Sequence, residues 1–171
     1  LAREAKLKGR ARANDVGFWL APMMNAPGRL GSPLASLELM LAEGDDEAAR
    51  CARALADANV RRRKISAELI EQASAQVAEL YGKDIPAGIV VAGEGWHPGV
   101  GGIIAGRLVE RFGVPVVMVA LDGEKGVGSA RAPKGGIGLY GAISACASEL
   151  ERFGGHDAAA GLEVRAERVE A

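Results

Sequence analysis

The spacing of apolar residues changes character near residue 82. Ahead of it, residues 45–81 contain neither Gly nor Pro and are dominated by Ala, Leu, Glu and Arg, which predicts one long helix or two that abut. In the second half of that stretch Ile65, Leu69, Ala73, Val77 and Leu80 recur at helical spacing and fall on one face. A single helix of this length would reach about 55 Å. That suits a bridge between domains better than an internal core element. Gly82 stops it. Beyond Pro86 the apolar residues come in short unbroken runs. Residues 89–92 read as a buried strand, 93–99 as a loop, and 101–111 as a helix ending at Gly113. Residues 114–121 read as a second buried strand, with Pro115 at its tolerant start. Asp122-Gly123 turns into a third strand at 127–131. A helix over 139–153, a Gly154-Gly155-His156 loop and a last strand at 162–164 complete the pattern. The alternation predicts a compact α/β domain over residues 83–165, with a small mixed sheet flanked by helices.

The first 44 residues have a different texture. Residues 1–14 are basic and polar, with Arg3, Lys6, Lys8, Arg10 and Arg12. An apolar patch at 16–24 leads into a loop at 25–31, rich in breakers. A short helix then starts at Ser32, a good N-cap, followed by Pro33 where a missing N–H costs nothing, and ends at Gly44. The chain opens in mid-pattern without an initiator Met, as a fragment would.

Composition narrows the chemistry. Hydrophobic residues make up 49% of the 171, enough for a true core, but aromatics are only 4%, so Ala, Val, Leu and Ile must build it. The net charge of −1 means that any nucleic-acid contact is local, placed by particular side chains. Cys51 and Cys146 show no paired spacing, which fits a reducing, cytoplasmic setting. No apolar run is long enough to span a membrane.

Hydrolysis of a phosphodiester by two metals needs several converging His and carboxylate ligands. His97 and His156 are the two histidines, and neither sits in a ligand cluster; His156-Asp157 is a pair without companions. No Gly-x-Ser-x-Gly elbow and no phosphate-binding Gly-x-x-x-x-Gly-Lys loop occurs. The loop at 93–99 stands between a strand and a helix and could aim backbone N–H groups at an anion, or be a plain turn. Pro98 breaks the dinucleotide-binding glycine pattern. Trp96 reads as core or as the edge of a site. Ser129 and Arg131, two residues apart on a strand, point to the same face and could cradle a phosphate; a solvated strand face explains the spacing equally simply. Gly154-Gly155-His156 reads as a helix C-cap, or as a backbone nest with an imidazole donor. The run Arg61-Arg62-Arg63-Lys64 spreads over more than a helical turn and reads as a solvated face.

In combination these segments resemble a known family. Asn25-Ala26-Pro27-Gly28-Arg29-Leu30, Gly95-Trp96-His97-Pro98-Gly99-Val100, Gly128-Ser129-Ala130-Arg131, and Gly154-Gly155-His156 with Ala158-Ala159-Ala160-Gly161 follow the order and approximate spacing of RecJ-type exonucleases, members of the DHH phosphoesterase superfamily. The resemblance covers residues 15–165. It implies a 5′-end-directed hydrolase of single-stranded DNA, acting in repair and recombination, with manganese or magnesium held by a DHH domain. On that map residues 1–44 are the tail of the DHH domain, 45–82 the connecting helix and 83–165 the DHH-associated substrate-binding domain. Residues 166–171 begin a following segment. The implied phosphate-gripping positions are Arg29, Ser129, Arg131, Gly155 and His156, with Trp96 and His97 lining the cleft and Trp96 offering a base a stacking surface. The implied metal ligands lie outside this chain, so the fragment alone is expected to be inactive. The implied partner is single-stranded DNA, with no membrane. The residues carry no readable signature of a single-strand-binding protein or helicase partner.

The chain departs from the family pattern at Gly101, usually Val, at Ala132, often Ser, and at Gly138, commonly acidic. The loss of a hydroxyl at Ala132 puts one phosphate contact in doubt. Two alternatives stand beside this reading: another DHH phosphodiesterase acting on short RNA or cyclic dinucleotides, and an RNA-binding module like that of alanyl-tRNA synthetases. The long helix and Trp96-His97 argue against the first, and residues 15–44 would be unexplained by the second.

Overall fold

The computed structural model describes residues 1–169, so residues 170–171 of the segment expected to open at 166 lie outside the described residues. The chain forms two units, Leu1–Ile65 and Ser66–Ala171. Among the described residues no helix is long and apolar enough to cross a membrane.

In the first unit, α1 (Ala13–Asp15) runs through a π-helical turn (Val16–Leu20) into α2 (Ala21–Leu30). The expected loop at 25–31 is therefore corrected: Asn25 to Leu30 is helical despite Pro27 and Gly28. Packing overrides propensity here, because Met23 and Ala26 are 5% and 0% exposed and Pro27 is buried with them. Pro27 lacks the N–H that would reach the Met23 carbonyl, and the adjacent Met24 carbonyl accepts the Ser36 hydroxyl at 2.6 Å. Next comes α3 (Leu34–Leu41), with Ser32 Oγ accepting from the Leu34 N–H at 3.3 Å. It stops short of Gly44, whose carbonyl instead accepts from Ala48 as the next helix begins.

That helix, α4 (Asp45–Tyr81), is unbroken. Asp45, Asp46 and Glu47 in its first turn complement the positive end of its dipole. Within the first unit it buries Cys51, Ala52, Leu55 and Ala58. Within the second it buries Ser66, Leu69, Ala73 and Val77, while Leu80, expected on that stripe, is 57% exposed.

The second unit is a five-stranded mixed sheet in the order β1-β2-β3-β5-β4. Its strands are β1 (Ile89–Glu94), β2 (Val116–Asp122), β3 (Lys125–Arg131), β4 (Leu150–His156) and β5 (Ala159–Arg165). β1 and β2 are parallel, joined through α5 (Gly101–Phe112), and the remaining pairs are antiparallel. α5 packs on one face of the sheet, burying Ile104, Ala105 and Leu108 near Val116 and Met118. On the other face Leu139 and Ile143 of α6 (Leu139–Ala145) join Val119, Ala130, Ala160, Leu162 and Val164 in one cluster. The single helix expected over 139–153 is corrected: α6 ends at Ala145, a 3₁₀ turn follows, and 150–156 is strand β4. Leu150 and Phe153 pack against that cluster once β4 pairs with β5. Burial of side chains this size stabilises by up to about 3 kcal/mol each, more than the differences in helix propensity along the segment.

α4 also seals the outer edge of β1. The Gln76 side chain donates to the Ala92 carbonyl at 2.9 Å and accepts from the Ala92 N–H at 3.0 Å, taking the place of a neighbouring strand.

Candidate nucleic-acid interface

β3 alternates by face. Gly126, Gly128 and Ala130 are buried, and Ala130 belongs to the cluster beneath α6. Ser129 and Arg131 therefore stand on the opposite, α5 side. Registered residues of paired strands share a face, which carries the site across the sheet. Arg131 pairs with Ala159, and Ala159 with His156; Ser129 pairs with Gly161, and Gly161 with Gly154. Arg131 and His156 thus flank Ala159, two strand spacings apart, or roughly 10 Å. The neighbouring row of Ser129, Gly161 and Gly154 carries almost no side-chain bulk. The result is a shallow floor with a guanidinium on one side and an imidazole on the other.

The start of α5 closes the guanidinium side. A Cβ on Gly101 would come within 3.3 Å of Ser129 Oγ, and one on Gly102 would collide with the Arg131 guanidinium. The missing methyl at 102 lets Arg131 lie against the helix N-terminus, and Arg131 Nη1 donates to the Ala130 carbonyl at 2.7 Å. The positive end of α5, a fixed guanidinium and a hydroxyl converge in one place, an arrangement suited to an anionic oxygen.

His97 and Trp96 lie in the β1–α5 connection. His97 Nδ1 accepts from the Gly99 N–H at 3.1 Å, which leaves Nε2 as its donor. Trp96 is 9% exposed, its Nε1 donates to Gln72 Oε1 at 2.9 Å, and its ring lies where a Gly93 side chain would be. A ring covered in this way presents no open face to a base. Its role here is to fix the connection against α4.

His156 is exposed and sits on a strand, where a loop after a helix was expected. Gly155 beside it faces the other side of the sheet. At φ 150° its Cβ would fall 2.5 Å from both the Ala159 carbonyl oxygen and the Ala160 Cα, so only glycine fits. Arg29 is in the first unit, half-buried in the last turn of α2. Sequence reasoning missed Gly102, Gly154 and Gly161, which act through absent side chains. It also missed Gln72 and Gln76, whose signal is polarity at i, i+4 spacing beside an apolar stripe.

The most voluminous hollow, about 810 Å³, lies at the other end of β3 and β5. It is lined by Glu124, Glu151, Glu163 and Glu167 against Lys125 and Arg165. Four carboxylates to two cations disfavour a polyanion there. Among the described residues no group of three or more His, Cys, Asp or Glu side chains could hold a metal ion.

Comparison with known proteins agrees with this geometry. The chain is 40% identical over 163 residues to the single-stranded-DNA-specific exonuclease RecJ of Bacillus subtilis (strain 168), covering 94% of the chain and 20% of that protein. It is 34% identical to the Haemophilus influenzae RecJ, over 91% of the chain and 28% of the relative. A crystal structure of exonuclease RecJ bound to manganese superposes with a TM-score of 0.82 at 30% identity, over 99% of this chain and 41% of that one. RecJ of Thermus thermophilus in complex with Mn2+ superposes at 0.79 and 32%, over 99% of this chain and 26% of that one. The chain thus spans less than half the length of each of these proteins. Residues 84–171 match the DHHA1 domain model; the chain belongs to the DHHA1 domain family and is similar along most of its length to RecJ exonucleases.

Proposed function

We propose that this chain is the strand-gripping part of a metal-dependent exonuclease that degrades single-stranded DNA from its 5′ end in repair and recombination. The observation that carries the proposal is the placement of Ser129, Arg131 and His156 on one open sheet face, beside the N-terminus of α5. Ser129 and Arg131 supply the hydroxyl and fork of donors that a terminal phosphate needs. His156 donates from across the floor, and Gly155 holds the hairpin that presents it. Arg29 takes a phosphate in the first unit, and His97 lines the path with its Nε2 donor. Trp96 supports His97 by packing.

The relatives' likeness extends to residues ahead of 84, where the DHHA1 match begins, and this favours the exonuclease over an RNA-binding module of the synthetase kind. On this reading residues 1–44 end the DHH part and 45–82 form the connecting helix. Residues 83–165 are the substrate-binding domain, and 166–171 open a following segment. Phe18, Trp19, Met40 and Leu41 are 76%, 56%, 72% and 68% exposed, apolar surface suited to packing against the rest of a DHH domain. The RecJ crystal structures are complexes with manganese or magnesium. This chain's described residues do not form a site for either ion, so the proposal assigns the metals to residues outside it. The protein acts in the cytoplasm; the unpaired Cys51 and Cys146 support that setting.

The test is binding of this chain to labelled single-stranded DNA with and without a 5′-phosphate. Tighter binding with the phosphate is expected. Arg131→Ala should remove the difference and flatten the salt dependence by about one unit of log–log slope. No preference in the parent, or an unchanged slope in the variant, sinks the assignment.

A further inference from the structure

The run Arg61-Arg62-Arg63-Lys64 reads in sequence as a solvated helix face, and Arg61, Arg63 and Lys64 are exposed as such. Arg62 departs from its neighbours. It is half-buried, and its Nε and Nη2 both donate to Asn59 Oδ1, at 3.2 and 2.8 Å. A neutral amide oxygen fixes a guanidinium without cancelling its charge. One turn back on α4, Ala58 is 4% exposed, and one turn back from Arg29 on α2, Ala26 is 0% exposed. Arg29 and Arg62 each extend a buried helix face by one turn, which brings the two guanidiniums out together within the first unit. Burial, then the charge of Arg29, then that of Arg63, depress the Arg62 pKa from its ordinary value. The side chain stays protonated at neutral pH, so the cluster is held at an electrostatic cost. A phosphodiester oxygen placed between the two forks turns that repulsion into charge-assisted hydrogen bonds.

We infer that Arg62, oriented by Asn59, is a further phosphate-positioning residue that acts with Arg29 on one phosphodiester group of the bound single strand. The inference rests on the strand-gripping reading and adds to it a residue outside the Ser129–Arg131 floor. A purely structural Arg62 would instead serve as a brace on its own helix, with no stake in the ligand.

Affinity of the full 171-residue chain for a labelled single-stranded oligonucleotide, measured across a series of salt concentrations, separates the two. Arg62→Gln should weaken binding roughly three- to tenfold and make the log–log salt slope shallower by about one. Arg62→Lys should keep the slope but lose part of the affinity, because a point charge replaces a fork. If thermal melts show that Arg62→Gln does not fold, the Lys variant carries the test, and parental affinity in it overturns the inference. Parental affinity and slope in a folded Arg62→Gln also overturn it. If Arg131→Ala weakens binding in the same series while Arg62→Gln does not, this inference alone fails; if the parent binds no single strand, both readings fail.

Discussion

Gly102 and Gly155 both lack a side chain for want of room, but the room is taken by different things. At 102 the obstacle is the far end of the Arg131 side chain, which can swing away; at 155 it is backbone, which cannot. Gly102→Ala should therefore leave the melting temperature unchanged or slightly raised, since Ala gains up to about 1 kcal/mol over Gly within a helix. The same change should displace the guanidinium and reduce single-strand binding as far as Arg131→Ala does. Gly155→Ala should do the reverse in kind, costing about 2–3 kcal/mol of stability through a strained φ and a backbone clash. Melting curves and binding isotherms on the two variants check the pair, and parental affinity in a folded Gly102→Ala would separate Arg131 from the helix terminus. Neither role is visible in the sequence, where both residues are two glycines among 24. Ser129 and Arg131 were legible as a same-face pair because the period of a strand fixes it. What covers that face is a tertiary fact.

At the scale of elements, local signals sufficed where propensity and packing agree. The run without Gly or Pro predicted α4, and the apolar runs at 89–92 and 114–121 predicted β1 and β2. They failed where packing or pairing overrode propensity. Asn25 to Leu30 carries two breakers yet is helical, held by the buried Met23, Ala26 and Pro27. Residues 150–153 read as helix yet pair with β5, because Leu150 and Phe153 find the cluster beneath α6. Leu80 fits the helical stripe but lies beyond the last turn that buries it. Gln76 tests how α4 and the sheet hold together. Gln76→Ala strips Ala92 of both partners at a part-buried edge. A loss of about 1–3 kcal/mol is expected, since each group left unsatisfied keeps its desolvation cost. Amide exchange at Ala92 should accelerate well beyond that of Val91, which lies on the same strand. Equal acceleration along all of β1 would mean that the glutamine supports the whole fold rather than the edge.

Over the whole molecule a net charge of −1 hides an uneven distribution. One end of the β3–β5–β4 surface gathers Arg131, His156 and the positive terminus of α5, while the other gathers Glu124, Glu151, Glu163 and Glu167. A strand drawn to such a surface is held by a few placed contacts, so its affinity should fall with salt along a shallow log–log slope. The same separation bears on metals. The carboxylates at the far end do not converge into a metal-holding group, and the two histidines are committed elsewhere: His97 to Gly99, and His156 to the rim of the floor. Structural or catalytic divalent ions bound by this chain would stabilise its folded state in proportion to their occupancy. Dialysis against EDTA should therefore leave its melting temperature unchanged, and added Mn2+ should neither raise it nor induce cleavage of single-stranded DNA. A manganese-dependent rise in melting temperature, or metal-dependent cleavage that copurifies with the chain and is lost in Arg131→Ala, would place an ion on this surface. It would also overturn the division between a part that holds the strand and a part that cuts it.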